Sequence, residues 1–140
     1  MNIKIRQASI GDLDEVTKVE ASCFSEAEAD GKIIGFINGC VINETVIYDE
    51  LYKDSTLHIP NGAYQTIFGL DVISEYRNQG IAAQLMNYII EVSRVAGRKD
   101  VVLTCKEKLI DYYTKFGYKN KGISKSVHGG VQWYDMILEF

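Results

Sequence analysis

Six consecutive residues, Arg77-Asn78-Gln79-Gly80-Ile81-Ala82, sit where an apolar extended run, Tyr64 to Val72, gives way to a helical pattern. Their chemistry is anion binding. The first backbone N–H groups of a helix have no intrahelical partner, and the macrodipole adds partial positive charge at the same end. A diphosphate can therefore be held by main chain plus the Arg77 guanidinium. Gly80 and Ala82 lack bulk and let a ligand approach the backbone. The same residues would also serve an ordinary strand-to-helix turn, so the remainder of the chain has to decide between the two readings.

The pattern Arg77-x-x-Gly80-x-Ala82 after an apolar strand resembles the acetyl-CoA signature of the GCN5-related N-acetyltransferases, the GNAT superfamily. Downstream, Leu109-Ile110-Asp111-Tyr112-Tyr113-Thr114-Lys115-Phe116-Gly117-Tyr118 resembles that family's second hallmark, a short helix carrying a tyrosine and closing on a glycine-aromatic pair. Val19 to Ala29 and His128-Gly129-Gly130-Val131-Gln132-Trp133 look closest to the arylalkylamine N-acetyltransferase-like branch. The resemblance implies a mixed α/β fold, a twisted sheet with flanking helices, and acetyl-CoA as cosubstrate without a metal. It places the carrier against the main chain of Leu70 and Val72 and against Arg77, Asn78, Gln79, Gly80, Ile81, Ala82 and Ala83. An amide-rich pantetheine arm would add itself to the exposed strand as a further strand, and an N–H near Leu70 or Asp71 would polarise the thioester carbonyl.

Acyl transfer to an amine also needs a proton for the departing thiolate. Tyr113 matches the family's general-acid tyrosine and is preferred to Tyr112; a phenol with an ordinary pKa of about 10 is protonated at neutral pH. The base is left open. Where the vertebrate arylalkylamine enzymes carry two histidines on the central strand, this chain has Thr66 and Phe68. Gln65, Asp71, Glu26, Glu28 and His128 are candidates to orient a water or accept the proton, with a water relay as the default. His58 reads as a turn residue. Cys105 has no sequence-adjacent histidine to activate it, so direct attack in a ternary complex is expected over an acyl-enzyme. The resulting function is transfer of an acetyl group to a primary amine of a small molecule. A noncatalytic acyl-CoA sensor of the same fold, and a protein or peptide N-acetyltransferase, are the alternatives.

Composition sets the outer bounds. With 140 residues and 46% hydrophobic content the chain suits one domain. A formal charge of -4 argues against nucleic acid as a partner and tolerates a cationic amine. Cys23, Cys40 and Cys105 lack metal-ligand spacing and read as reduced thiols. No apolar run approaches the roughly 20 residues that span a bilayer, so the expectation is a cytoplasmic protein without membrane partners. A homodimer is compatible with this reading.

The elements that must position these residues follow from periodicity. Ile3 and Ile5 alternate with Lys4 and Arg6 in a first strand, and Leu13, Val16, Val19 and Cys23 recur at helical spacing from a start near Asp12. Asp30-Gly31 is a hairpin signal before a strand from Lys32 to Val41. No strand is evident ahead of that turn, and the family resemblance would place a helix and a strand there, so a segment missing between Ala29 and Asp30 is expected. Asn43 to Asn61 reads as a long loop. Tyr64 to Val72 reads as one central strand, Gly80 to Ala96 as a helix with Ile81, Leu85, Ile89, Val92 and Val95 on one face, and Val101-Val102-Leu103 as a strand buried on both sides. A strand from about Tyr118 and a final strand from Val131 to Phe140 complete the chain.

Overall fold

The computed structural model describes residues 3–7, 24–45, 47, 49–52 and 55–140. The helix expected near Asp12, with Leu13, Val16, Val19 and Cys23, lies outside the described residues. Nine strands and two α-helices are seen among the described residues: β1 (Ile3–Gln7), β2 (Phe24–Ala29), β3 (Lys32–Asn38), β4 (Val41–Ile42), β5 (Tyr64–Ile67), β6 (Gly69–Val72), α1 (Ile81–Val95), β7 (Asp100–Cys105), α2 (Ile110–Thr114), β8 (Lys119–Ile123) and β9 (Tyr134–Glu139). They form a four-stranded sheet in the order β1-β2-β3-β6 and a five-stranded sheet in the order β4-β5-β7-β9-β8. Among the described strands, only the β5–β7 pair is parallel. The two sheets are stitched together where Phe68 N–H donates to the Asn38 carbonyl and Thr66 N–H to the Cys40 carbonyl, both at 2.8 Å.

The strand before the hairpin exists, contrary to the sequence reading. Phe24–Ala29 pairs with β3, and Ala29 faces Lys32 directly across the turn. Asp30 and Gly31 both have positive φ, 53° and 77°, the geometry of a type I′ turn whose twist matches the strands it joins. Asp30 and Gly31 thus close the hairpin between β2 and β3 as a two-residue turn. Ser25-Glu26-Ala27-Glu28-Ala29 conceals its strand character because Ala and Glu favour helix intrinsically. The pairing of β2 on both sides, with β1 and β3, overrides that preference.

Helix α1 lies over the joint core. Its Ile81, Leu85, Met86, Ile89 and Ile90 pack with Ala27, Ile34, Ile37 and Val72 from the first sheet and Val101, Leu103, Met136 and Leu138 from the second. The buried arc is rotated from the expected stripe: Met86, Ile90 and Ser93 join it, and Val95 is 79% exposed. At about 100° per residue, a face shared with Met86 and Ile90 turns Val95 towards solvent. The helix ends in a Schellman arrangement, in which Gly97 N–H reaches the Arg94 carbonyl and Arg98 N–H the Ser93 carbonyl, both at 3.1 Å.

Strand β7 is buried on both faces, as its apolar run predicts. Val101, Leu103 and Cys105 enter the core under α1, while Val102 joins a second cluster with Cys40, Ile42, Ile47, Leu51 and Ile137 on the opposite side. The segment read as a long loop supplies Ile47 and Leu51 to that cluster and contains one-turn 3-10 helices at Asp49–Tyr52 and Ser55–Leu57. Cys40 and Cys105 are free, buried thiols. Among the described residues, no helix is long and apolar enough to cross a membrane.

Candidate active site

The run Tyr64 to Val72 is two strands, and the division creates the site. β5 pairs with β7 up to Ile67 and Leu103, whereas β6 pairs only with β3 and so ends the first sheet. Beyond Ile67 the strand parts from its parallel neighbour. Ile73 N–H donates to the Ile34 carbonyl at 2.8 Å. By the two-residue alternation of an antiparallel ladder, the main-chain groups of Gly69 and Asp71 turn to β3 and those of Leu70 and Val72 turn to the gap.

A cavity of about 460 Å³ opens at this edge. Leu70, Asp71 and Val72 form one wall, Gly80, Ile81, Ala82 and Ala83 a second, and Tyr76, Arg77, Asn78 and Tyr112 the rim. The second wall is the N-terminus of α1, where no side chain caps the helix and Gly80 has φ 77°. A Cβ on Gly80 would meet nothing within 4 Å, so this left-handed residue presents open backbone to the cavity. The first intrahelical bond found there runs from Gln84 N–H to the Gly80 carbonyl at 3.1 Å. The N–H groups of Ile81, Ala82 and Ala83 precede it and are available to an anion.

Of the residues expected to hold the carrier, Leu70, Val72, Arg77, Asn78, Gly80, Ile81, Ala82 and Ala83 line this one cavity, and Gln79 does not. Tyr113 is not on the lining either; its neighbour Tyr112 is. Tyr113 lies one layer deeper, edge-on to Tyr112 at 5.2 Å and to Tyr118 at 6.0 Å between ring centroids. Burial, with smaller contributions from Cys105 and Tyr112, pushes the Tyr113 hydroxyl up to about 12. Burial likewise pushes the Cys105 thiol up to about 11, which keeps it protonated and poorly nucleophilic. Tyr118 is buried, and its hydroxyl donates to the Met86 sulfur at 3.2 Å. Tyr76 is a cavity residue that sequence reasoning did not name, although it directly precedes the Arg77 motif, and Tyr112, set aside there in favour of Tyr113, lines the cavity from within the second motif.

The base candidates do not converge. Glu26 and Glu28 both pair with Arg6, at 3.2 and 2.7 Å. Gln65 is buried, and its amide donates to the Cys40 and Thr66 carbonyls at 3.3 and 2.9 Å. Thr66 is fully buried, its hydroxyl donating to the Cys40 carbonyl and accepting from Cys40 N–H. Phe68 packs on the second apolar cluster. His58 accepts from Val41 N–H at 2.9 Å through Nδ1. His128 sits in a one-turn helix beside Trp133, whose indole N–H donates to the His128 carbonyl at 2.7 Å. Asp71 alone reaches the cavity. A separate polar chain links Asp49 to Ser126 at 2.6 Å, Ser126 N–H to the Ser124 hydroxyl at 3.1 Å, and Ser124 to Asp135, whose carboxyl burial raises.

Unpaired strand edge, uncapped helix N-terminus and intervening cavity form an architecture suited to an extended, amide-rich anion. Residues 5–118 match the sequence pattern of the Acetyltransferase (GNAT) family. The chain belongs to this GNAT family. Human N-acetyltransferase 8 is 26% identical over 120 residues, covering 81% of this chain and 47% of that protein. Serotonin N-acetyltransferase of Mesocricetus auratus is 28% identical over 109 residues, covering 76% of this chain and 51% of that protein. The chain thus spans about half the length of these curated relatives. Among solved structures, Arabidopsis thaliana Naa50 in complex with the bisubstrate analogue CoA-Ac-MVNAL superposes with a TM-score of 0.71 at 16% identity, with all of both chains covered. That likeness establishes the GNAT fold, a mixed α/β sheet with flanking helices.

Proposed function

We propose that this GNAT chain is an N-acetyltransferase that moves the acetyl group of acetyl-CoA to a primary amine of a small molecule by direct attack in a ternary complex. The observation that carries the reading is the cavity bounded by the free edge of β6 and the uncapped start of α1. The diphosphate would rest on the N–H groups of Gly80 to Ala83 with Arg77, Asn78 and Gln79 beside them. The pantetheine amides would pair with the main chain of Leu70 and Val72 and carry the thioester along the strand, where the Leu70 N–H polarises its carbonyl.

A neutral amine nitrogen then attacks the carbonyl carbon, the C–S bond breaks, and the thiolate takes a proton from a phenol. Tyr113 is assigned that role by its place in the motif, and its high pKa keeps the proton available across the physiological range. The amine proton leaves through water. Two features favour a small acceptor: the serotonin N-acetyltransferase relative, and the net charge of -4, which draws a cationic amine. The peptide-bearing complex of Naa50 favours the second reading, a peptide or protein acceptor.

Calorimetry with coenzyme A, followed by a thiol-release assay across arylalkylamines, polyamines, aminoglycosides and peptides, tests the proposal. Coenzyme A should bind, and at least one small amine should stimulate thiol release more than any peptide. Stimulation by peptides alone selects the second reading. Binding without any stimulation points to an acyl-CoA sensor, and absence of binding removes the carrier from the cavity.

A further inference from the structure

The edge of β6 that faces the cavity is already occupied at Val72. Its N–H donates to the Asp71 carboxylate at 2.9 Å, and its carbonyl accepts from Arg77 Nε at 2.8 Å. The Arg77 guanidinium and the Asp71 carboxylate also approach each other at 3.5 Å. Three contacts thus close a ring around Val72, which with Leu70 is one of the two β6 residues whose main chain turns away from β3. Arg77 belongs to the anion-binding turn, so a single side chain spans the two parts of the cavity. Both side chains are more than half exposed, 59% and 63%, which makes the ring weakly held and displaceable.

We propose that Arg77 makes this site selective for thioester carriers that bear a diphosphate, because it blocks the free edge of β6 until a phosphate draws it away. The inference rests on the carrier reading above and adds to it a second task for Arg77. A neutral pantetheine thioester offers the strand its amides but nothing to the guanidinium. It must displace the bond to the Val72 carbonyl and release Arg77 to water. A diphosphate provides charge-assisted acceptors in exchange. One side chain therefore penalises the short carrier and rewards the long one, the two components from which specificity is built. Asp71 is a positioning residue: it holds the Val72 N–H and anchors the guanidinium over the strand.

The test compares coenzyme A, measured by calorimetry, with pantetheine, measured by amide chemical-shift titration, on the wild-type chain and on Arg77→Ala. One hydrogen bond removed from the competition should tighten pantetheine roughly 2- to 12-fold. Loss of a charge-assisted phosphate contact should weaken coenzyme A by roughly 10-fold or more. Opposite signs for the two ligands are the signature. Asp71→Ala should also tighten pantetheine, which is uncharged and so does not respond to the altered charge itself. Pantetheine affinity unchanged in both variants, weakened in both, or still undetectable in Arg77→Ala overturns the proposal. If coenzyme A binds the wild-type chain and pantetheine ignores Arg77→Ala, only this inference fails; if coenzyme A does not bind at all, the carrier reading fails first.

Discussion

Thr66→Val replaces a hydroxyl by a methyl of the same shape at the central-strand position where the arylalkylamine branch carries a histidine. The structure gives that hydroxyl a structural task. It accepts from Cys40 N–H at 2.9 Å and donates to the Cys40 carbonyl at 2.9 Å, within a residue that is fully buried. After substitution the carbonyl keeps two donors, the backbone N–H at position 66 and the Gln65 amide. The Cys40 N–H loses the acceptor it has in the Thr66 hydroxyl, and Cys40 is only 3% exposed, so water does not replace the loss. Leaving one buried donor unsatisfied costs about 1–3 kcal/mol, and the conserved volume adds little. For a chain of this size that corresponds to a fall in Tm of roughly 3–12 °C. Differential scanning calorimetry reads the shift, and Thr66→Ser, which retains the hydroxyl, should recover most of it. Turnover well below Tm should stay within about twofold, since the donor lost is a folding contact. A variant with unchanged Tm would show that the orphaned N–H does not form. Turnover reduced a hundredfold at unchanged stability would instead place Thr66 on the proton path.

The adjacent tyrosines separate by paired substitutions: Tyr113→Phe should lower kcat by roughly 10²-fold or more with the KM for acetyl-CoA little changed, whereas Tyr112→Phe should act mainly on that KM because Tyr112 lines the cavity. If the loss of kcat follows Tyr112, the acid role passes to the cavity residue. In the pH profile, no alkaline limb from Tyr113 should appear below about pH 11, because its pKa is pushed up to about 12. Stability should also fall at high pH with a defined sign. Tyr113 and Cys105 have folded pKa values above their ordinary ones, so the stability they contribute is complete below about pH 9 and is lost as pH rises through about 11 and 12. A urea midpoint that stays flat from pH 9 to 12 would contradict that linkage.

Much of this architecture is written in short-range patterns. Alternation marks β1, a helical period marks α1, an unbroken apolar run marks the doubly buried β7, and the small residues after Arg77 mark a helix start open to an anion. These features depend on backbone geometry and burial within one element, which neighbouring residues largely determine. Strand β2 escaped notice because its alanines and glutamates have no intrinsic preference for extended chain, and pairing on both sides supplies what propensity does not.

Tertiary structure alone decided three things. The division of Tyr64–Val72 at Phe68 arises because β5 has β7 as a partner and β6 does not, a matter of long-range pairing. Which tyrosine meets the cavity depends on how a five-residue helix docks, since Tyr112 and Tyr113 differ by one residue, or about 100° of rotation. The ring of Asp71, Val72 and Arg77 forms because the chain doubles back over the edge of β6 and brings a guanidinium to a carbonyl with no strand beside it. Local sequence specifies what each segment can bury and how its backbone can bend; which main-chain groups are left without partners is settled only when the sheets are complete.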